Sequence, residues 1–408
     1  MVEQVIIIGG GAAGFFSAIN IALINPKIKI TIFEKQNKVL QKVKASGGGR
    51  CNVTNACFQH SELLKKYPRG KSILKKSLIQ FSPKDTIEWF ANQGVELHTE
   101  ADGRMFPTTN SSQTIIDCML NLCAKYHINI QLQTEIISIQ KIENLFELKD
   151  KKENKYYATH LIIAVGGYAQ ILQYSYLQNL ELEIKNPVPS LFTFNTPKHS
   201  ICKLMGVSVA NVQVKIVGTK FVETGPLLIT HWGFSGPAIL KLSAWAAIEL
   251  HEKKYHFSIH INWIQLSENL LIAQWNDIRN THAKLHLGNK NPFELPQRLW
   301  EYLLEEVEIS PQTKWSELNA KQQNKLIHIL TTHEIEIKGK TTFKEEFVTC
   351  GGIELSQINS NTFESNVIKN VYFAGEILDV DGITGGFNFQ HAWSSAYIVA
   401  KNITNSFS

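Results

Sequence analysis

Gly9, Gly11 and Gly14 stand in G-x-G-x-x-G spacing directly after the apolar run Val5-Ile-Ile-Ile8. The chemistry of such a turn is phosphate binding: one glycine lets a strand turn tightly into a helix, one lets backbone approach a pyrophosphate, and one lets helix pack on strand. The first helical amides, from Ala12 and Ala13 onward, then face the phosphates. A second apolar run, Lys29-Ile-Thr-Ile-Phe33, ends in Glu34, twenty residues after Gly14. A carboxylate there accepts hydrogen bonds from ribose hydroxyls and repels a 2′-phosphate. Glu34 and its neighbour Lys35 are therefore assigned to the adenosine end of a dinucleotide. The alternative, a glycine-rich turn with no ligand, does not account for strand, glycines, helix and acid occurring together.

The far end of the chain narrows the choice of dinucleotide. Residues 371–391 read as a strand, the pair Gly375-Glu376, a polar loop, the pair Gly385-Gly386 and a helix start that includes Asn388 and Phe389. Gly375 and Glu376 suit the ribityl and pyrophosphate region. Gly385 and Gly386 open a helix whose N-terminal amides face the pyrimidine edge of a flavin. Between the termini, Leu161-Ile-Ile-Ala-Val-Gly-Gly167 is a buried strand that brings Ala164 and Gly166 to the same ligand, and Thr134-Glu-Ile136 offers backbone to adenine. Separate segments converging on one ligand point to FAD rather than NAD.

Three stretches, Lys44-Ala-Ser-Gly-Gly-Gly-Arg-Cys-Asn-Val-Thr-Asn55, Leu228-Ile-Thr-His-Trp-Gly-Phe-Ser-Gly-Pro237 and the C-terminal run, resemble the YhiN/BaiN-like family of bacterial flavoproteins. The resemblance spans nearly the whole chain. It implies an FAD-dependent oxidoreductase of α/β class, with a discontinuous Rossmann-type (glutathione-reductase-like) FAD domain, a β-barrel-like middle domain and a small helical insert. Some members of the family are linked to enone reduction and others to reduction of a uridine in ribosomal RNA. In the first stretch, Lys44, Ser46, Gly47, Gly48, Gly49, Arg50, Cys51 and Asn52 are assigned to the cofactor, with Lys44 and Arg50 neutralising pyrophosphate. Many related flavoproteins carry Gly-Asp where this chain has Gly375-Glu376; the longer carboxylate makes the same contact.

Saturating a C=C bond takes hydride from the flavin to one carbon and a proton from an acid to the other. Cys51, His231 and His391 are the candidates for the acid. Cys51 follows Arg50, whose guanidinium is expected to lower its pKa; the other reading is a small packing residue. His231 has the alternative of ordering a tight loop. With one G-x-G-x-x-G and no second nucleotide fold, NAD(P)H is expected as a transient electron donor. Gly233-Phe-Ser-Gly-Pro237 lacks the last glycine of a nucleophile elbow, so no serine hydrolase follows. The fourteen histidines fall in no ligand pattern, and no metal is expected.

The elements that position these residues can be read from their periods. Ser82 is an N-cap for a helix over 83–94, and Ser112 to Tyr126 is another helix. The β-branched runs Val207 to Val217 and His256 to Ile261 indicate a β-rich region over 190–266. Ser267, Pro296 and Asn319 start the helices of an insert over 267–340. The FAD domain then comprises 1–189 and 341–408.

At 408 residues, 44% apolar and 19% charged, the chain can bury substantial cores. No apolar run reaches transmembrane length, and no basic leader precedes the first strand, so a cytoplasmic protein without membrane contact is expected. The six cysteines lie in no C-x-x-C pair, which suits a reducing compartment. The formal net charge is +5, yet residues 35–84 hold twelve Lys or Arg against the single acid Glu62. Lys65, Lys66, Arg69, Lys71, Lys75 and Lys76 form a basic cluster outside the glycine-rich motif. It suits a polyanion such as RNA, with a solvated helix face as the bland alternative. Reduction of a uridine in large-subunit ribosomal RNA is the leading expectation; small-molecule oxidation or enone reduction and a non-catalytic flavin sensor are the others.

Overall fold

The computed structural model describes residues 4–341 and 348–407. The chain folds as two compact units, Met1–Ser190 with Phe343–Ser408, and Leu191–Thr342.

At the centre of the first unit, β1 (Gln4–Ile8) lies in a five-stranded parallel sheet. The order is Val371–Phe373, His160–Ile163, β1, β2 (Lys29–Phe33), Asn129–Gln131. Ile7 pairs with Ile32 on one side and Ile162 on the other. The central strands are covered on both faces, which is why they read as unbroken apolar runs rather than alternating ones. Helix α1 (Ala12–Ile24) connects β1 to β2 and packs along the C-terminal helix, Phe387–Ser406. The last strand and last helix thus complete a sheet begun by the first residues. Phe16 of α1 lies 4.5 Å from Trp89 and 5.1 Å from Trp393, ring centre to ring centre, and closes the apolar core between the helices.

Local signals place the remaining elements of this unit. Ser82 caps the helix Pro83–Asn92 in a capping box with Asp85, and Ser111 caps Ser112–Lys125. Strands Ile136–Ile142, Leu145–Asp150 and Lys155–Ala158 form a small antiparallel sheet.

The second unit is built on a seven-stranded antiparallel sheet in the order His333–Lys338, His256–Asn262, Ser208–Ile216, Val222–Thr230, Gly233–Ser235, Thr193–Asn195, Lys340–Thr341. This corrects the barrel-like expectation: the outer strands are not paired with each other and the sheet stays open. The reason is the cover on its apolar side. Helices Glu268–His282 and Ala320–Thr332, capped by Ser267 and Asn319, and Gln297–Glu306, which begins after Pro296 without a side-chain cap, contribute Leu271, Trp275, Trp300 and Leu330 to the same core as Val214 and Ile261 of the strands. A sheet whose apolar face is covered by helices has no need to close on itself. Strands of 190–266 and helices of 267–340 therefore share one core. Among the described residues, no helix is long and apolar enough to cross a membrane.

Candidate functional site

The three glycines of the first turn have different neighbours. A Cβ on Gly9 would lie 2.3 Å from the Ala164 carbonyl oxygen, and one on Gly14 would lie 2.0 Å from the Gly9 carbonyl oxygen. Both are demanded by packing inside the protein. A Cβ built on Gly11 would have nothing within 4 Å, which leaves room beside its backbone. Gly11 is also the N-cap of α1 and leaves its first turn without a side-chain cap. Glu34, at the end of β2, accepts hydrogen bonds from the Gly10 and Gln36 amides, each at 2.8 Å. A carboxylate has about four lone-pair sites, so acceptor capacity remains for ribose hydroxyls. Beside it lies a cavity of about 310 Å³ lined by Gly9, Glu34, Lys35, Ile136, Val165 and Tyr168, among others. The Lys35 ammonium sits 4.9 Å from the centre of the Tyr168 ring.

The glycine-rich stretch breaks its helix at Ser46, whose ψ of 148° is extended, and continues through Gly47, Gly48 and Gly49 at φ of 60°, 68° and 86°. Only Gly47 is packed, against Phe106; Gly48 and Gly49 are exposed and have nothing within 4 Å of a Cβ. Lys44 is likewise exposed. Arg50 is engaged elsewhere. It makes a 2.6 Å ion pair with Glu100 and lies over the Phe106 ring at 4.0 Å. This corrects the expectation that it activates Cys51: that side chain is fully buried, and burial pushes the thiol up to about 12, opposed only by a hydrogen bond from Ser46. Cys51 holds a neutral S–H.

The C-terminal motif is locked onto both earlier ones. Gly375, at φ 76°, abuts Ala13 of α1, where a Cβ would come within 2.9 Å of the Ala13 Cβ. Its amide donates to Ser395 Oγ at 2.9 Å. The Glu376 carboxylate pairs with Lys42 at 2.6 Å and accepts from the Thr349 amide at 3.0 Å. The φ of Gly166 is 76°, and a Cβ on Gly167 would meet Thr349 Oγ1. Asn55 Nδ2 donates to the Gly385 carbonyl at 2.9 Å, while the Asn52 side-chain oxygen takes the Gly386 amide, also at 2.9 Å. Asn388 grips both the N–H and the C=O of Gly382, at 2.8 and 2.9 Å, and so closes the loop before the helix. Phe389 stacks on Trp393, whose indole N–H donates to the Val53 carbonyl at 2.9 Å.

Of the candidate acids, Cys51 and His391 belong to the first unit and His231 to the second. His391 is buried; its Nε2 lies 3.2 Å from the Gly375 carbonyl and its Nδ1 has no partner. Burial holds its pKa down to about 4, so the ring is neutral, donates from Nε2 to that carbonyl, and is no imidazolium acid. His231 is exposed on the turn between Val222–Thr230 and Gly233–Ser235, edge-on to Trp232 with ring centres 4.1 Å apart.

Residues 3–402 match the family model described as the HI0933-like protein Rossmann domain. This chain belongs to the HI0933-like family. It is an FAD-dependent oxidoreductase, as the members of this family are. Among its relatives, a ribosomal RNA dihydrouridine synthase of Escherichia coli K12 is 32% identical, with 98% of this chain and 97% of that protein covered. A protein of the same description in Haemophilus influenzae Rd is 29% identical over 98% of each. A 3-dehydro-bile acid delta(4,6)-reductase of Clostridium scindens is 26% identical over 97% of each. The fold is shared with solved structures at much lower identity. An open-conformation flavocytochrome c3 fumarate reductase superposes with a TM-score of 0.51 at 12% identity, covering 99% of this chain and 78% of that one. A 3-ketosteroid-delta4-(5alpha)-dehydrogenase from Rhodococcus jostii RHA1 gives 0.50 at 10% identity, covering 98% and 97%.

Around these motifs lie further residues that the sequence placed differently or passed over. Arg69, read from sequence as part of the surface basic cluster, is largely buried and makes a two-point ion pair with Asp381, which also accepts a hydrogen bond from Ser190 Oγ. It is corrected out of the cluster because a guanidinium so engaged is not offered to a polyanion. Gln390 is fully buried and takes hydrogen bonds from Thr54 and Thr86 at 2.6 and 3.0 Å. Tyr168, on the cavity beside Glu34, follows directly on Gly166-Gly167, the one signal from which it was legible.

Proposed function

We propose that this chain reduces a uridine in large-subunit ribosomal RNA with bound FAD, and that NAD(P)H is the transient electron donor. The observation that carries this reading is the likeness, from end to end, to a ribosomal RNA dihydrouridine synthase at 32% identity. Exposed Lys65, Lys71, Lys75 and Lys76 and half-buried Lys66 add a surface that suits RNA phosphates.

The residues present suit FAD on grounds of their own. Open space at Gly11, Gly48 and Gly49 gives a diphosphate room to lie against backbone, and the uncapped start of α1 supplies amides. Glu34 would hold the ribose, and the cavity at Lys35 and Ile136 the adenine. Gly375, Glu376 and the helix opened by Gly385 and Gly386 would line the flavin side. When bound, FAD supplies the hydride that saturates the pyrimidine C=C bond. The chain must then hold the base in place and keep a proton ready at the second carbon. Cys51 Sγ carries its proton through the whole working pH range, and His231 is the other candidate donor. His391 Nε2 instead fixes the Gly375 carbonyl.

The test is to reduce the purified flavoprotein anaerobically with NADPH and add unmodified large-subunit RNA. Flavin reoxidation coupled to loss of uridine absorbance is the expected result. Reoxidation by a small enone with no response to RNA would overturn it and favour the metabolite reading, for which the bile-acid reductase relative speaks. Reduction of the flavin without turnover of any acceptor would favour a sensor.

A further inference from the structure

The lysine-bearing segment is not a free arm. Its 66–70 stretch is fastened to the loop that leads into the C-terminal helix. The Ile383 amide donates to the Lys66 carbonyl at 2.9 Å. The Tyr67 hydroxyl, fully buried, donates to the Phe387 carbonyl at 2.8 Å. Gly70, at φ 84°, comes so close to Val380 that a Cβ would lie 2.5 Å from its Cγ2. Between these contacts, the Arg69 guanidinium meets both oxygens of Asp381, a carboxylate with no exposed surface, and Ser190 Oγ adds a third contact. The far side of the same loop is held by Asn52, Asn55 and Asn388.

A buried ion pair is a poor way to gain stability, because desolvating the charges offsets their attraction. A two-point guanidinium–carboxylate contact does fix direction as well as distance. On one side of it stand exposed Lys71, Lys75 and Lys76 on the helix Lys71–Gln80. On the other stand Gly385 and Gly386, at the head of the helix assigned above to the flavin. We propose that Arg69, acting through Asp381, is a positioning residue: it sets the offset between the surface that holds RNA phosphates and the loop beside which the base reacts. This rests on the reading of the protein as an RNA-reducing flavoenzyme. It separates two duties that the sequence cluster merges, with the exposed lysines supplying affinity and Arg69 supplying alignment.

The test compares Arg69→Lys with Lys75→Glu/Lys76→Glu in the FAD-loaded enzyme, using transcribed, unmodified large-subunit RNA. Arg69→Lys keeps the charge and loses the two-point contact. It is expected to retain FAD and the RNA Kd of the wild type and to lower the rate of flavin reoxidation at saturating RNA about tenfold or more, as misplacement of a reacting group does. Lys75→Glu/Lys76→Glu is expected to raise Kd and KM and to flatten their salt dependence. A second variant, Arg69→Met/Asp381→Leu, removes both charges so that neither is left buried without the other, at the cost of the Ser190 hydroxyl's bonds to the pair; with FAD bound and RNA Kd retained it should show the same loss of rate. A wild-type rate in either Arg69 variant, or a weakened RNA Kd in Arg69→Lys, would overturn the proposal while leaving the RNA reading intact. Failure of the wild-type enzyme to be reoxidised by RNA would instead remove the RNA reading, and the positioning role with it.

Discussion

Gly11 and Gly14 are the same residue three positions apart, and they should fail in opposite ways. Gly11 has extended backbone and open space around it, so Gly11→Val is expected to cost the FAD-free protein no more than about 1 kcal/mol, the penalty of a β-branched residue at an N-cap, and to weaken FAD binding. Gly14→Val drives a side chain into the Gly9 carbonyl and should destabilise the fold by about 1–3 kcal/mol or more. Denaturant melts of the FAD-free variants and flavin fluorescence on titration with FAD separate the two. Cys51 calls for a chemical test. With its thiol buried and its pKa near 12, it should stay unlabelled by iodoacetamide at pH 8 in the folded protein, while half-buried Cys57 and Cys202 react, as peptide mass spectrometry would report. Alkylation of Cys51 at the rate of those two would show that its cover opens. The glycine spacing was legible because backbone geometry restricts those positions to one residue type. The state of Cys51 was not, because Arg50 is adjacent in sequence while its charge is engaged by Glu100, fifty residues away.

Helix starts were legible for a similar reason. Ser82, Ser267 and Asn319 each satisfy an amide three residues on, so the signal is complete within one turn. How the elements lock together was not legible. Gln390 looks from sequence like any polar residue near a helix start, yet it is fully buried between Thr54, Thr86 and Ser394. Gln390→Leu would take from the buried Thr54 hydroxyl its bond to Gln390, while Thr86 and Ser394 keep their bonds to the Ser82 and Phe81 carbonyls; it should cost about 1–3 kcal/mol in urea unfolding and loosen the 52–55 stretch from the C-terminal helix. If Gln390→Leu unfolds at the wild-type urea midpoint, this network does not hold the two motifs together. The open sheet of the second unit belongs to the same scale. Alternation in the strands shows which face is apolar, but not whether helices or another part of the sheet will cover it.

Across the whole molecule, His160, His333 and His391 are all buried and held down to about 4 from an ordinary 6.5. Each is neutral in the fold and takes up a proton more readily when unfolded. Their contribution is complete above about pH 6.5 and is lost as pH falls toward 4, on the order of 1–3 kcal/mol each. Urea unfolding between pH 7.5 and 4.5 should therefore show stability falling on the acid side, and His391→Gln should flatten part of that slope; a slope unchanged in the variant would count against burial as the cause. At this scale, sequence by itself determined that the chain's two ends build one nucleotide-binding sheet, because strand, glycine turn and helix start are each written in consecutive residues. It also determined the excess of positive charge over residues 35–84. Only the tertiary structure decided which of those charges face solvent and which, like Arg50 and Arg69, are neutralised by partners brought from far along the chain. The physical reason is that backbone conformation is chosen by near neighbours, whereas burial and charge pairing are settled only once distant segments share a core.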